Sequence, residues 1–129
     1  MGEAIESALN QTYSHVEVIV VDDGSTDHSR DVILKYGDRI IPILQPNGKQ
    51  AAAFNSGFAR SQGEIIIFLD ADDYYHPDKL RKIVNGFCTH PRWVQISHGR
   101  IAVDRDGTPI GMGSKAHNQG DVSRLLLRW

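Results

Sequence analysis

Carboxylates are concentrated at one point of the sequence, directly after a run of apolar residues. Residues 65–69 are β-branched, aromatic or leucine, which is typical of a buried parallel strand. The segment Asp70-Ala71-Asp72-Asp73 then places three carboxylates within four positions. Open α/β sheets bind ligands beyond the carboxyl ends of their strands, and clustered carboxylates repel one another unless a cation or hydrogen-bond donors compensate them. The pattern therefore predicts a divalent cation that holds a phosphorylated ligand.

A second acidic segment, residues 22–27, follows the strand-like residues 16–21. It begins with the pair Asp22-Asp23, and Gly24 after them suits a sharp turn. Ser25 or Thr26 can cap the helix that follows. Two strands that end in acidic loops at one edge of a sheet outline a single pocket.

Size and composition restrict the class of protein. The chain has 129 residues, a formal net charge of -2 and one cysteine, Cys88. This length fits one domain or part of one, and the charge offers nucleic acid no electrostatic attraction. A single cysteine excludes an internal disulfide and fits a reducing compartment. The sequence contains no apolar stretch of bilayer length and opens on no signal-peptide pattern, so we expect a cytoplasmic protein.

Helical and strand patterns alternate along the chain. The predicted helices cover residues 3–11, 27–36, 50–61 and a segment that starts at Pro77, and the predicted strands cover residues 16–22, 40–44 and 65–70. This order predicts an α/β fold with a mostly parallel sheet and helices on both faces. After it, residues 94–110 predict a hairpin with a turn at Asp106-Gly107, and residues 121–129 predict a last helix.

Four segments, in this order and spacing, closely resemble the family 2 glycosyltransferases. They are residues 4–13, 20–27, 45–57 and 68–73, within a match that extends over about residues 4–127. The last of them corresponds to the family's DxD motif. The resemblance implies a Rossmann-like nucleotide-binding sheet of the GT-A class.

The same resemblance implies roles for individual residues. The donor-binding residues would be Asp22, Asp23, Asn47, Gly48, Lys49, Asp70 and Ala71, and Asp72 and Asp70 would hold Mn²⁺ or Mg²⁺. Within this set, Asp23 is expected to contact the nucleobase and Asp22 to be structural. For Lys49, two roles are equally expected: a contact with the nucleotide, or an ordinary exposed position in the loop.

The sequence also departs from the family pattern. The family's first strand, expected centrally between the strands that end at Asp22 and Asp70, has no counterpart here. The acceptor half, with the catalytic base, is expected beyond Trp129, so the catalytic residue is unknown and residues 94–129 would lead into that half. Phe54 stands where many relatives have arginine. We therefore expect residues 1–129 to form a partial GT-A domain, the nucleotide-sugar-binding portion. The missing strand would be replaced by direct pairing of its neighbours or by exchange with another molecule.

The resemblance implies an inverting, metal-dependent transfer of a sugar from a nucleotide-diphosphate donor, chiefly a UDP-sugar, to a glycan or lipid-linked acceptor. The chain by itself is expected to be inactive. One alternative is a catalytically incompetent nucleotide-binding or interaction module, and another is a sugar nucleotidyltransferase. The latter usually requires a Gly-rich loop bearing Arg or Lys directly after the first strand, which these residues lack. Peripheral association with the inner face of a membrane and a strand-exchanged homodimer are further hypotheses.

Overall fold

The chain divides into two units, Met1–Pro91 and the residues from 92 on. The computed structural model describes residues 1–104 and 106–110. The helix predicted at residues 121–129 lies outside the described residues, as does most of the connection predicted to the acceptor half.

Helices and strands alternate in the first unit as far as α3, as predicted, and α4 then follows α3 without a strand between them. Its elements are α1 (Gly2–Leu9), β1 (Ile19–Asp23), α2 (Ser29–Leu34), a 3₁₀ turn (Gly37–Arg39), β2 (Ile41–Gln45), α3 (Lys49–Arg60) and α4 (Lys79–Thr89). The predicted bounds differ from these by one to three residues at most ends. Pro77 lies in the turn before α4 rather than in its first helical turn. No helix among the described residues is long and apolar enough to cross a bilayer.

The two strands form a parallel ladder that brings their carboxyl ends together. Ile19 lies opposite Ile41 at one end, and Asp23 lies opposite Gln45 at the other. Both strands are rich in β-branched residues, which pack well on a pleated surface. Pro42 on β2 lacks a backbone N–H and is tolerated on an edge strand. The register therefore sets the last residues of the two strands side by side.

Helices cover both faces of this sheet. On one face, Ile5 of α1, the fully buried Ile33 of α2 and Ile40 form a core cluster against which Val20 packs. Successive strand residues point to opposite faces, so the neighbouring Val21 faces α3. Gly57 of α3 lies against it, since a Cβ at this position would be 3.4 Å from the Val21 side chain, within ordinary van der Waals contact. The predicted α/β class, with helices on both faces, is confirmed.

The strand predicted at residues 65–70 is wrong, because these residues form no ladder with any described strand. Within residues 1–104 and 106–110, β1 pairs only with β2. A cavity of about 590 Å³, called the slot below, lies between β1 and residues 64–69 and is lined mainly by apolar side chains. The expected direct pairing across the missing strand is therefore also wrong. A strand is defined by the hydrogen bonds it makes with a partner strand, and residues 65–69 make no such ladder with the other described residues.

The second unit contains the predicted hairpin turn. Val103 and Pro109 form an antiparallel bridge. The Asp104 carboxylate accepts backbone N–H groups from Asp106 and Thr108, at 2.9 and 2.8 Å. Gly107 has a φ of 80°, which glycine adopts without strain. The turn at Asp106-Gly107 is confirmed.

Candidate functional site

The Asp22 carboxylate is buried beneath the end of β1. Only 1% of the residue is exposed. Its Oδ1 accepts the Ser25 backbone N–H at 3.3 Å, and its Oδ2 accepts the Arg30 Nε–H at 2.6 Å. Burial raises the pKa of Asp22, but the hydrogen bonds from Ser25 and Arg30 outweigh burial and hold the pKa below its ordinary value. Asp22 therefore anchors α2 and the acidic loop from inside the protein.

Asp23 lies on the opposite face of β1, toward α3. Its Oδ1 accepts Gln45 Nε2 at 2.6 Å and the Gly48 backbone N–H at 2.9 Å, and the same N–H lies 3.1 Å from Oδ2. The Gly48 N–H and then the Gln45 amide lower the pKa of Asp23, so the carboxylate is ionised at neutral pH. A carboxylate accepts up to about four hydrogen bonds. Asp23 therefore connects β1 to the start of α3 and keeps capacity on Oδ2 for a further donor.

Gly24 is required where the acidic loop meets the loop before α3. Its φ is 78°, and a Cβ at this position would lie 2.6 Å from the Asn47 backbone nitrogen. Any side chain here would combine an unfavourable conformation with a clash against backbone. Glycine thus sets the close approach of the two loops.

An open pocket of about 600 Å³ lies over these loops. Asp23, Gly24, Asn47, Lys49 and Gln50 are among its lining residues. Lys49 has a φ of 68°, a left-handed conformation that non-glycine residues adopt rarely and that is concentrated at functional sites. The pocket combines a carboxylate, an amide and a cation at the N-terminus of α3.

The segment after residue 69 forms a compact acidic turn, defined here as residues 70–73. The Asp73 backbone N–H donates to the Asp70 carbonyl at 3.1 Å. Ala71, Asp72 and Asp73 are exposed in this turn. No group of three or more His, Cys, Asp or Glu side chains within the described residues is arranged to hold a metal ion. A Mg²⁺ bound with phosphate needs only one or two protein carboxylates, so two carboxylates in this turn would be enough in number for such an ion.

The two acidic segments flank the same helix end. Asp23 bonds to Gly48, the residue that precedes α3, while Gln50 in the first turn of α3 donates to Asp70 Oδ1 at 3.3 Å. The predicted donor residues Asp23, Asn47, Gly48, Lys49 and Asp70 therefore lie around the N-terminus of α3. Asp22 faces away from this group into the α2 side.

Sequence reasoning did not assign the residues that position these carboxylates. Arg30, Gln45 and Gln50 each donate to one of them. The place of Gln45 at the end of β2, directly opposite Asp23, is the signal that could have identified it. Phe54 packs its ring 4.6 Å from the Phe68 ring and lines the slot rather than the open pocket.

Tyr75 follows the acidic turn and bonds to the chain that precedes it. Its hydroxyl donates to the Phe68 carbonyl at 2.6 Å, and its backbone N–H donates to Ser7 Oγ at 3.0 Å. Burial raises the pKa of Tyr75, and the nearby Asp70 and Asp73 carboxylates raise it further. The phenol therefore stays protonated and remains a donor at neutral pH.

Comparison with solved structures assigns the fold to a class. The crystal structure of S. aureus TarS matches with a TM-score of 0.59 and 25% identity, over 69% of this chain and 17% of TarS. The two-stranded parallel sheet with helices on both faces is similar to the GT-A fold of that protein.

The sequence comparisons assign the family. The family model described as "Glycosyl transferase family 2" matches residues 1–122. The chain belongs to this family.

Several bacterial proteins described as glycosyltransferases are similar to this chain in sequence. An uncharacterised glycosyltransferase of Nostoc sp. is 52% identical over 118 residues, which are 88% of this chain and 36% of that protein. A second, from Haemophilus influenzae, is 40% identical over 85% of this chain and 45% of its own length. TuaG of Bacillus subtilis, assigned provisionally to teichuronic acid biosynthesis, is 36% identical over 84% of this chain and 44% of its own length. The chain thus spans less than half the length of these relatives.

Substitution of Gly24 tests the close approach of the two loops. We expect Gly24→Ala to destabilise the protein by about 2–4 kcal/mol, since it adds a backbone clash to conformational strain. Gly37→Ala is the matched control, because Gly37 also has positive φ (53°) but no atom within 4 Å of its would-be Cβ. It should cost only the strain, about 1–2 kcal/mol. Urea unfolding measures both, and equal costs would contradict the packing described here.

The Asp22–Arg30 pair predicts a pH-dependent stability. Arg30 is 44% exposed, so water screens the pair and Arg30→Met should cost about 1–2 kcal/mol at pH 7, less than for a fully buried pair. The folded-state pKa of Asp22 is depressed. Its carboxylate therefore stabilises the fold above the unfolded-state pKa, about 3.9, and loses this effect as pH falls through the folded value.

The stability difference between wild type and Arg30→Met should therefore hold from pH 7 down to about 4 and narrow as the pH is lowered further, toward the depressed folded-state pKa of Asp22. Urea unfolding at several pH values measures it. Arg39→Met is the control, since Arg39 pairs with the exposed Glu6 and should cost less than about 0.5 kcal/mol. A penalty for Arg30→Met that is independent of pH would rule out the pair as its cause.

Proposed function

We propose that this chain is the donor-binding portion of an inverting glycosyltransferase that uses a nucleotide-diphosphate sugar, with UDP as the nucleotide. The observation that carries the proposal is the arrangement of both acidic segments around the N-terminus of α3. Family 2 membership over residues 1–122 supports the reaction class. The whole enzyme would transfer the sugar to a glycan or lipid-linked acceptor, and the provisional assignment of TuaG to teichuronic acid biosynthesis supports a glycan product.

The open pocket offers complementary groups to a nucleotide. The remaining acceptor capacity of Asp23 Oδ2 suits the ring N–H of uracil, as expected from the sequence. The N-terminus of a helix favours negative charge, and Lys49 adds a cation beside it. Asn47 and Gly48, held by Gly24 and Asp23, would border the base or the ribose.

Asp72 and Asp70 are the residues that would hold Mg²⁺ or Mn²⁺, with diphosphate oxygens and water completing the ligands. When bound, the ion would stabilise negative charge on the departing nucleoside diphosphate. Gln50 orients the Asp70 carboxylate through its hydrogen bond. Ala71 lies between the two ligands, where its small side chain would let the diphosphate approach.

Inversion requires the acceptor hydroxyl to attack the anomeric carbon from the face opposite the nucleotide, while a carboxylate removes its proton. We place that base outside residues 1–129, because the chain spans about a third of its Nostoc relative. The chain by itself should therefore bind donor without turnover. A cytoplasmic location, at the inner membrane face where the acceptor is lipid-linked, stays a prediction supported by the single cysteine.

A titration of UDP with and without Mn²⁺ tests the donor site. We expect Mn²⁺ to increase UDP affinity at least tenfold, and Asp72→Asn to remove most of this increase, because the amide is a neutral and weaker ligand. Isothermal calorimetry on the 129-residue chain measures both. Asp31→Asn is the matched control, since Asp31 is an exposed carboxylate on α2 and should leave binding unchanged.

The two alternatives give different results in the same titration. A UDP affinity that changes neither on addition of Mn²⁺ nor in Asp72→Asn would favour a nucleotide-binding module without catalysis. Absence of UDP binding in every condition would favour an interaction module. Sugar-nucleotide synthesis from a nucleoside triphosphate and a sugar phosphate would identify a nucleotidyltransferase.

The slot also supports a proposal about a protein partner, namely that the chain forms a strand-exchanged homodimer. Among the residues that the structure describes, one edge of β1 carries no partner strand, and residues 65–67 and Phe68 line the opposite wall of the slot. Unpaired strand edges readily accept a strand from another chain. An apolar segment of a second copy, inserted beside β1, would supply the missing hydrogen bonds.

The dimer predicts a mass that depends on protein concentration. Ile66→Lys should lower the dimer fraction at least fivefold, because it places a charge in an apolar slot. Ile101→Lys is the control, since Ile101 is an exposed apolar residue of the second unit. Sedimentation equilibrium measures the association constants. A monomer at all concentrations would remove the dimer proposal without affecting the donor site.

A further inference from the structure

Tyr75 occupies an unusual position directly after the acidic turn. Only 8% of it is exposed, whereas its neighbour Tyr74 is 49% exposed. The buried tyrosine therefore lies beneath the turn, and the exposed one lies beside it. The two adjacent tyrosines thus differ in the surroundings of their side chains, buried for Tyr75 and half exposed for Tyr74.

The contacts of Tyr75 span both ends of the turn. Its hydroxyl reaches back to the Phe68 carbonyl, two residues before Asp70, at 2.6 Å. Its backbone N–H donates to Ser7 Oγ at 3.0 Å, and Ser7 in turn donates to the Ala4 carbonyl at 2.8 Å. One residue therefore connects the chain before the turn, the chain after it and helix α1.

The ring of Tyr75 is fixed as well. Lys79 Nζ lies 4.1 Å from the ring centroid, a distance typical of a cation–π contact. Since Lys79 is in the first turn of α4, the contact relates the tyrosine to that helix. The hydroxyl is thereby held at the Phe68 carbonyl instead of rotating away.

We propose that Tyr75 is a positioning residue that fixes the acidic turn for a divalent cation, through its hydroxyl bond to the Phe68 carbonyl and its backbone bond to Ser7 Oγ. This inference rests on the proposed function, because it assumes that Asp70 and Asp72 hold the cation. Residues 65–69 have no strand partner within the described part of the chain, so the sheet formed there does not orient the turn. Side-chain hydrogen bonds therefore contribute to that orientation, and the hydroxyl of Tyr75 supplies one of 2.6 Å.

Positioning should be visible in metal affinity. Partners that orient metal ligands typically contribute about 10–100-fold to affinity or activity. Tyr75 acts on the backbone before the ligands rather than on a carboxylate, so we expect a smaller effect. Tyr75→Phe should reduce the Mn²⁺-dependent gain in UDP affinity about threefold to tenfold.

The test compares UDP titrations of the 129-residue chain in Mn²⁺ and in EDTA. Tyr75→Phe should lower affinity in Mn²⁺ and leave affinity in EDTA unchanged, whereas Tyr74→Phe should change neither by more than about twofold. A role only in packing would lower both affinities together, and that result would overturn the proposal. So would equal Mn²⁺-dependent gains in Tyr75→Phe and wild type.

A second variant keeps the test decisive if Tyr75→Phe fails to fold, as judged by circular dichroism. Ser7→Ala removes the acceptor of the Tyr75 N–H from α1 and should produce the same selective loss in Mn²⁺. Normal Mn²⁺ dependence in folded Ser7→Ala would then overturn the proposal. If wild-type UDP affinity itself ignores Mn²⁺, the metal site of the proposed function fails, and the role of Tyr75 fails with it. A metal-dependent wild type with unaffected variants removes the role of Tyr75 alone.

Discussion

The hydrogen bonds accepted by the Asp23 carboxylate are the interactions on which the rest of the site depends. It accepts from Gln45 at the end of β2 and from the Gly48 N–H that precedes α3. Three elements therefore meet at one side chain. An ionised acceptor forms hydrogen bonds about twice as strong as a neutral one, and this favours a fixed position for the loop before α3. Gln50 follows that loop, and it carries the connection on to Asp70.

Strand geometry explains why two adjacent carboxylates have different roles. Successive residues of a strand point to opposite faces, so Asp22 enters the α2 side and Asp23 the α3 side. On the α2 side the carboxylate is enclosed and needs Arg30 to compensate its charge. On the α3 side it borders an open pocket. The pair is one structural anchor and one group that can meet a ligand.

Much of this organisation was predictable because it is local. Apolar periodicity and turn residues identified the four helices and the strands β1 and β2, and the pair Asp106-Gly107 identified the hairpin turn. The strand predicted at residues 65–70 was wrong for a non-local reason. Its composition favours a strand, but strand formation depends on a neighbouring backbone that lies elsewhere in the sequence. In the same way, the expected donor residues could be named from their motifs. Gln45 and Gln50 lie within the segment 45–57, but their contacts with the carboxylates depend on the tertiary fold and could not be read from that segment.

The missing strand partner changes what holds the acidic turn. In a continuous parallel sheet, backbone hydrogen bonds on both sides would fix residues 65–69 and so aim the carboxylates that follow. Here the slot occupies that place, and the turn is oriented by Gln50 from α3, by Ser7 from α1 and by the Tyr75 hydroxyl. Each of these contacts is a single side-chain bond, with a typical net contribution of about 0.5–1.5 kcal/mol. The geometry of a cation site at Asp70 and Asp72 is therefore more sensitive to single substitutions around the turn than it would be at the end of a paired strand.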